Sequence, residues 1–148
     1  MGRYRRIESC SREETLLIGK DLGEELPLGC LVLLSGSYGV GKTEFVRGIV
    51  RGCLGEQSSE EVASPSFSGL FVYENNKRRV LHYDLYRFSS FFTASVFEDA
   101  EESDILCVEW SENMGEYIAT FREIVKVHIV STGDNTRDIS IAFFDRAQ

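Results

Sequence analysis

The chain has no apolar run that approaches the ~20 residues a membrane-spanning helix needs. Its N-terminus, "MGRYRRIESC", is basic but lacks an apolar h-region, so no secretory signal is expected and the cytosol is the expected location. The four cysteines, Cys10, Cys30, Cys53 and Cys107, form no C-x-x-C pair and have no nearby histidine. Reduced structural thiols are therefore expected, not a zinc site or a disulfide framework. Positive charge is in deficit: 24 acidic against 16 basic residues give a net charge of −8. That argues against gripping nucleic acid directly, because phosphate contacts dominate such binding. Arg3, Arg5 and Arg6, or Lys77, Arg78 and Arg79, form small basic clusters of the kind that usually make solvated surface. No repeat, low-complexity segment or domain boundary is visible. What remains is a 148-residue chain, 43% hydrophobic and 27% charged, with the composition of a globular protein and enough length for a core.

In "SREETLLIGKDLGEEL", Ser11 reads as an N-cap with Glu14 three residues on, a capping box. Leu17/Ile18, Leu22 and Leu26 follow at helical spacing as one buried stripe, and Pro27 and Gly29 end the helix. "CLVLLS" (Cys30–Ser35) reads as a strand buried on both faces. After a glycine-rich loop, Phe45, Val46, Ile49, Val50 and Cys53 mark the inner face of a helix to about Leu54, capped by Gly55. "GEQSSEEVASPS" reads as a loop, extended before its proline. "FSGLFVYE" and "RRVLHYDLYRF" flank "NNK" as an antiparallel pair. "DILCVEW" is a second buried strand, "SENMGEYIATF" is weakly helical, and the alternations Val125/Val127/Ile129 and Ile139/Ile141/Phe143 make a C-terminal hairpin around "STGDNT".

The segment Gly36-Ser37-Tyr38-Gly39-Val40-Gly41-Lys42-Thr43 matches G-x-x-x-x-G-K-[ST] without departure. Its glycines allow successive backbone N–H groups to turn inward as an anion nest, and the next helix aims its positive end at the same place. Lys42 is expected to neutralise β- and γ-phosphate oxygens, and the Thr43 hydroxyl to bind magnesium. At average residue frequencies the pattern arises by chance in roughly half a percent of chains this long. The strand before it and the helix after it reduce that further.

A phosphate loop names no reaction. Hydrolysis or transfer also needs a carboxylate behind the metal and a group that orients the attacking oxygen. Glu109, at the end of an apolar strand, is one candidate. Asp84 in "HYDLYR" is the other, because a carboxylate between Tyr83 and Leu85 is costly to bury without a partner. His82 and Tyr86 share its strand face, and strand packing accounts for them as well as chemistry does.

These features together resemble TsaE (formerly YjeE), a family of small bacterial P-loop ATPases that act in making threonylcarbamoyladenosine on tRNA. The resemblance rests on the loop, the continuation "TEFVRGI", "SPSF" (Ser64–Phe67), "HYDLYR" (His82–Arg87) and "VEW" (Val108–Trp110), in order and over roughly residues 11–144. It implies that Gly36–Thr43, with Glu44 after it, binds ATP phosphates, and that Thr43 and Glu109 hold Mg2+. It further implies that "SPSF", with Ser66 in place of the family's usual threonine, is a switch near the γ-phosphate. Asp84 would be a catalytic or metal-side acid, Lys42 and Glu109 would share the catalytic work, and Trp110 would lie close by. Thr15 and Arg137 would help seat the adenine. Ser37, Val40 and Ser111 stand where relatives commonly carry an acid, alanine and proline, and residues 89–104 fit the family pattern poorly.

The implied function is a slow ATPase stimulated by the threonylcarbamoyl-transferase complex of TsaD and TsaB type proteins. It would reset that complex and meet tRNA only through it, with no membrane involved. A small-molecule kinase is the alternative, although no arginine-rich lid is visible in the second half of the chain. A nucleotide-dependent switch with incidental hydrolysis is a third reading. No N-K-x-D base-reading motif occurs, since Asn76-Lys77 precedes Arg78 and Arg79, and the preference for ATP follows from the resemblance alone. The expected fold is α/β: one P-loop domain over residues 1–148, a central mixed sheet with flanking helices and added antiparallel strands, and residues 1–10 loosely ordered.

Overall fold

A computed structural model describes residues 3–37, 39–56, 69–85, 97–98, 100–109 and 111–145. Tyr38, the "SPSF" stretch with Ser66, Tyr86, Arg87 and Trp110 lie outside them, as does most of the 89–104 segment. The elements are β1 (Arg3–Ser9), α1 (Arg12–Glu25), β2 (Leu31–Ser35), α2 (Lys42–Leu54), β3 (Leu70–Glu74), β4 (Arg79–Asp84) and β5 (Ile105–Glu109), then a 3-10 helix (Ser111–Thr120), β6 (Glu123–Ser131) and β7 (Arg137–Asp145). The seven strands form one sheet in the order β1-β7-β6-β2-β5-β4-β3. Its centre, β6-β2-β5-β4, is parallel, and β3, β7 and β1 add antiparallel edges. This is the expected mixed sheet. None of the described helices is long and apolar enough to cross a membrane.

Alternation along β2 sends Val32 and Leu34 to an apolar cluster under α1 and α2, and Leu31 and Leu33 to a second cluster with Leu81, Tyr83, Phe97 and Met114. A strand buried on both faces needs a continuous apolar run, which Leu31–Leu34 supplies. The β3–β4 turn is closed by Asn75, whose side-chain oxygen accepts from the backbone N–H of Lys77 and Arg78 at 2.8 and 2.9 Å. In the C-terminal hairpin Val125, Val127, Ile129, Ile139 and Ile141 are buried, as the alternation requires.

Two expectations are corrected. Residues 3–9 are not loose: they form β1, paired along its length with β7 from Arg3↔Phe143 to Ser9↔Arg137. The alternation of "RYRRIES" permits a strand whose inward Ile7 packs on the core cluster, but its partner is nearly the whole chain away. Leu17, placed in the buried stripe of α1, is instead 50% exposed. The buried positions are Thr15, Gly19, Leu22 and Gly23. The reason is a glycine contact between the two helices. A Cβ on Gly19 would stand 2.3 Å from the Phe45 carbonyl oxygen, and one on Gly48 only 2.0 Å from that of Leu16. Gly23 and Gly52 are equally tight, against the carbonyl oxygens of Ile49 and Lys20. Contacting positions rise together along both helices, so α1 and α2 run parallel with their N-termini at the same end. Pro27 bars helical geometry at Leu26, which is extended at φ −69° and ψ 132°, and α1 ends there.

Candidate phosphate-binding site

The loop leaves β2 at Ser35 and becomes α2 at Lys42. Gly36, Gly39 and Gly41 have φ of 146°, 79° and 111°, values that L side chains rarely adopt, which is why the loop is written in glycine. Gly41 is the N-cap of α2 and carries no side-chain cap, so the helix N-terminus presents bare backbone donors to the loop. Lys42 is only 7% exposed, and its Nζ donates to the Gly36 carbonyl at 2.9 Å, folding the ammonium back over the loop. The Val40 N–H donates to the Ser37 carbonyl at 3.3 Å, and Val40 itself is buried.

Strand ends supply the acids. Asp84 and Glu109 are register partners at the ends of the parallel strands β4 and β5, and alternation places both on the α2 side of the sheet. With Gly39, Gly41, Lys42 and Thr43 they line one cleft of about 470 Å³, within the usual range for ligand sites. Glu109 is 5% exposed and His82 fully buried, and His82 Nε2 lies 2.6 Å from Glu109 Oε2. The structure thus brings together Lys42, Thr43, Asp84 and Glu109, four residues singled out in sequence.

A second, smaller hollow adjoins the first. Thr15, Ser11, Val40, Gly41, Asn135 and Arg137 line it, so Thr15 and Arg137 do meet beside the loop. Arg137 Nε donates to the Val40 carbonyl at 2.9 Å, clamping the loop from β7. Thr15 is fixed by Ser9, whose hydroxyl is 2.7 Å from the Thr15 hydroxyl. The Ser11 hydroxyl caps α1 by accepting from the Glu14 N–H at 3.1 Å, and Glu14 accepts from the Cys10 N–H at 2.7 Å. The expected capping box is present, shifted one residue on its return arm.

Glu44 lines both hollows and is paired with Arg12 at 3.0 Å and Arg47 at 3.6 Å. Neither arginine was singled out in sequence. Arg47 sits four residues after Thr43, one helical turn along the same face, and that spacing could have flagged it. Arg12 reaches the cleft only because α1 lies parallel to α2, which no local pattern encodes. The cleft therefore carries Arg12, Lys42, Arg47 and Arg137 against Glu44, Asp84 and Glu109. An entering anion meets a surplus of cations and a helix N-terminus, and any cation it brings meets oxygen donors.

Residues 9–139 match the family model described as "Threonylcarbamoyl adenosine biosynthesis protein TsaE". The chain is 34% identical over 133 residues to the tRNA threonylcarbamoyladenosine biosynthesis protein TsaE of Rickettsia conorii, covering 88% of this chain and 74% of that one. It is 31% identical over 140 residues to the protein of the same name from Treponema pallidum, covering 93% and 99%. Among solved structures, the crystal structure of Bacillus subtilis YdiB superposes with a TM-score of 0.73 at 24% identity, over 96% of this chain and 86% of that one. That likeness is one of fold.

Proposed function

From the premise that this chain belongs to the TsaE family of threonylcarbamoyl adenosine biosynthesis proteins, we propose that it binds and hydrolyses ATP with Mg2+ in the service of threonylcarbamoyladenosine modification of tRNA. The observation that carries the reading is the convergence of a glycine phosphate loop with two carboxylates, Asp84 and Glu109, on adjacent parallel strand ends facing the same cleft. A glycine turn with an exposed lysine would have neither the buried Lys42 nor the facing acids.

The part proposed for each described residue is supported by its place in the cleft or in the hollow beside it. The loop amides and the N-terminus of α2 hold the phosphates, and Lys42 neutralises them at the loop's mouth. Thr43, Asp84 and Glu109 are oxygen donors, the set a hard divalent cation takes. Among the described residues no group of three or more His, Cys, Asp or Glu side chains could hold a metal by itself. Magnesium bound here would neutralise charge developing on the transferred phosphoryl group. Asp84 or Glu109 orients the attacking water, and Thr15 and Arg137 seat the base beside the loop; Ser66 and Trp110, to which the resemblance gives parts near the γ-phosphate and near the site, lie outside the described residues. The partner is a threonylcarbamoyl-transferase complex of TsaD and TsaB type proteins, in the cytosol. Hydrolysis resets that complex, and tRNA is met through it, in keeping with the net charge of −8.

The test is phosphate release from ATP by the full chain alone and with the partner pair. Slow release alone and a rise of tenfold or more with the pair is the expected result. Confirmed binding to the pair without stimulation would overturn the coupling, and phosphate appearing on an added nucleoside or sugar would turn the reading to a kinase.

A further inference from the structure

His82 is fully buried, yet its ring is poorly suited to a packing role. Its Nδ1 is buried with no hydrogen-bond partner among the described residues. An unpartnered buried polar atom loses its water without compensation, so on packing grounds an apolar ring would serve better. The surroundings sharpen this. Cys107, the register partner of His82, and Val80, on the same face of β4, both belong to the apolar cluster under α2. What the imidazole supplies is one short hydrogen bond, Nε2 to Glu109 Oε2 at 2.6 Å.

That bond comes from the interior side. His82 pairs in register with a residue two positions short of Glu109, so it holds the carboxylate from beneath the strand end. His82 does not line the cleft, whereas Glu109 does, together with the cations Lys42, Arg12 and Arg47. A glutamate released from His82 would share the cleft with these cations, and pairing with one of them would consume the negative charge the cleft needs for a metal ion.

We propose that His82 is a positioning residue: it ties down one oxygen of Glu109, keeps that carboxylate off the cleft's own cations, and leaves Oε1 as the oxygen that serves the metal-bound phosphates. The inference rests on the reading of Glu109 as a metal-side acid and deepens it. It separates nucleotide binding, which belongs to the loop and Lys42, from the magnesium response, which depends on His82 through Glu109.

The test uses the full chain and three variants. His82→Phe fills the space without a donor, His82→Asn keeps an amide that is too short to reach Glu109, and His82→Gln places an N–H where Nε2 stands. ADP and a non-hydrolysable ATP analogue are titrated calorimetrically across a magnesium series, and each protein is melted. Metal-free affinity should stay within twofold in every variant. The magnesium concentration at half-effect should rise tenfold or more in His82→Phe and His82→Asn and return to within threefold of the parent in His82→Gln. Should His82→Phe fold poorly, the asparagine and glutamine pair decides. An unchanged magnesium response in His82→Asn, failure of glutamine to rescue, or metal-free affinity falling by the same factor as the magnesium response would each overturn the proposal. A parent protein whose affinity ignores magnesium would instead overturn the metal reading of the site, and this inference with it.

Discussion

Replacing Gly48 by alanine tests the contact that sets where α1 stands. The new Cβ would lie 2.0 Å from the Leu16 carbonyl oxygen, 2.8 Å from the Lys20 nitrogen and 3.0 Å from the Gly19 carbonyl carbon. All three are backbone atoms, so no rotamer change relieves the overlap, and α1 must retreat by about 1 Å in a close-packed interior. Overpacking of this kind costs ~1–3 kcal/mol, here at the upper end. Alanine returns up to ~1 kcal/mol as the better helix former. The net loss is about 2 kcal/mol, which for a chain of this size lowers Tm by roughly 4–8 °C. Retreat of α1 also draws Thr15 away from Gly41, so nucleotide affinity should weaken severalfold. Thermal melting and a fluorescent-nucleotide titration read both. Gly19→Ala, whose Cβ would meet the Phe45 carbonyl oxygen at 2.3 Å, lifts the same helix. The double variant should then lose less than the sum of the singles. A Gly48→Ala protein that melts at or above the parent would refute the close seating of α1, and strictly additive losses would refute the shared contact.

Lys42→Ala should lose nucleotide affinity by a hundredfold or more and keep its fold, because the ammonium bonds the loop at the Gly36 carbonyl; unchanged affinity would contradict the site. Asp104 is 2% exposed and takes both Arg79 Nε at 3.0 Å and Nη2 at 2.5 Å. Burial alone would raise its pKa, but the Arg79 hydrogen bonds, the Glu101 N–H and the Arg79 charge together hold it below the ordinary carboxylate value of 3.8. Its folded pKa is thus depressed, so its contribution is complete above about pH 4 and is lost as the pH falls from there through the folded value. Asp104→Asn should cost about 2 kcal/mol at pH 7 and flatten the acid limb of a Tm-against-pH curve; superposable acid limbs would refute this. Burial pushes the Cys30 thiol up to about 12 and Cys53 up to about 11, with Cys107 well above 9.0, while Cys10 is exposed. Iodoacetamide at pH 8 should therefore alkylate Cys10 alone in the folded protein and all four thiols in denaturant, read by mass; a second fast site would count against the burial.

Local chemistry was readable in the sequence, and non-local approach was not. Gly36–Thr43 declares itself because left-handed backbone, anion nest and helix start all fall within eight residues. Glu109 was visible as an acid ending an apolar run, and Asp84 as a carboxylate between Tyr83 and Leu85 that is costly to bury without a partner. That they are register partners depends on β4 lying beside β5, with the segment between them supplying no pattern for it. Gly19, Gly23, Gly48 and Gly52 carry no local signal beyond their low helix propensity. Only their mutual approach shows them to be the contact surface, and it is what turned Leu17 outward. Likewise the basic "RYRRIES" resembled a solvated tail until β7 provided its partner. The bond from His82 to Glu109 spans two strands and could not be told from packing.

The pairing of β1 with β7 has a kinetic side. Strands β2, β5 and β6, with α2, can assemble from segments that need nothing before Leu31, whereas Ser9 must find Arg137 across nearly the full chain. Loop closure over such a span makes that contact slow to form. Yet this is the pair that completes the back of the phosphate loop: Ser9 anchors Thr15, and Arg137 anchors Val40. Fraying of the β1–β7 edge would therefore release the contacts behind the loop while leaving the pairings of the central strands in place. A nucleotide resting against Thr15 and Arg137 would act as a bolt across that edge, slowing unfolding far more than it speeds folding.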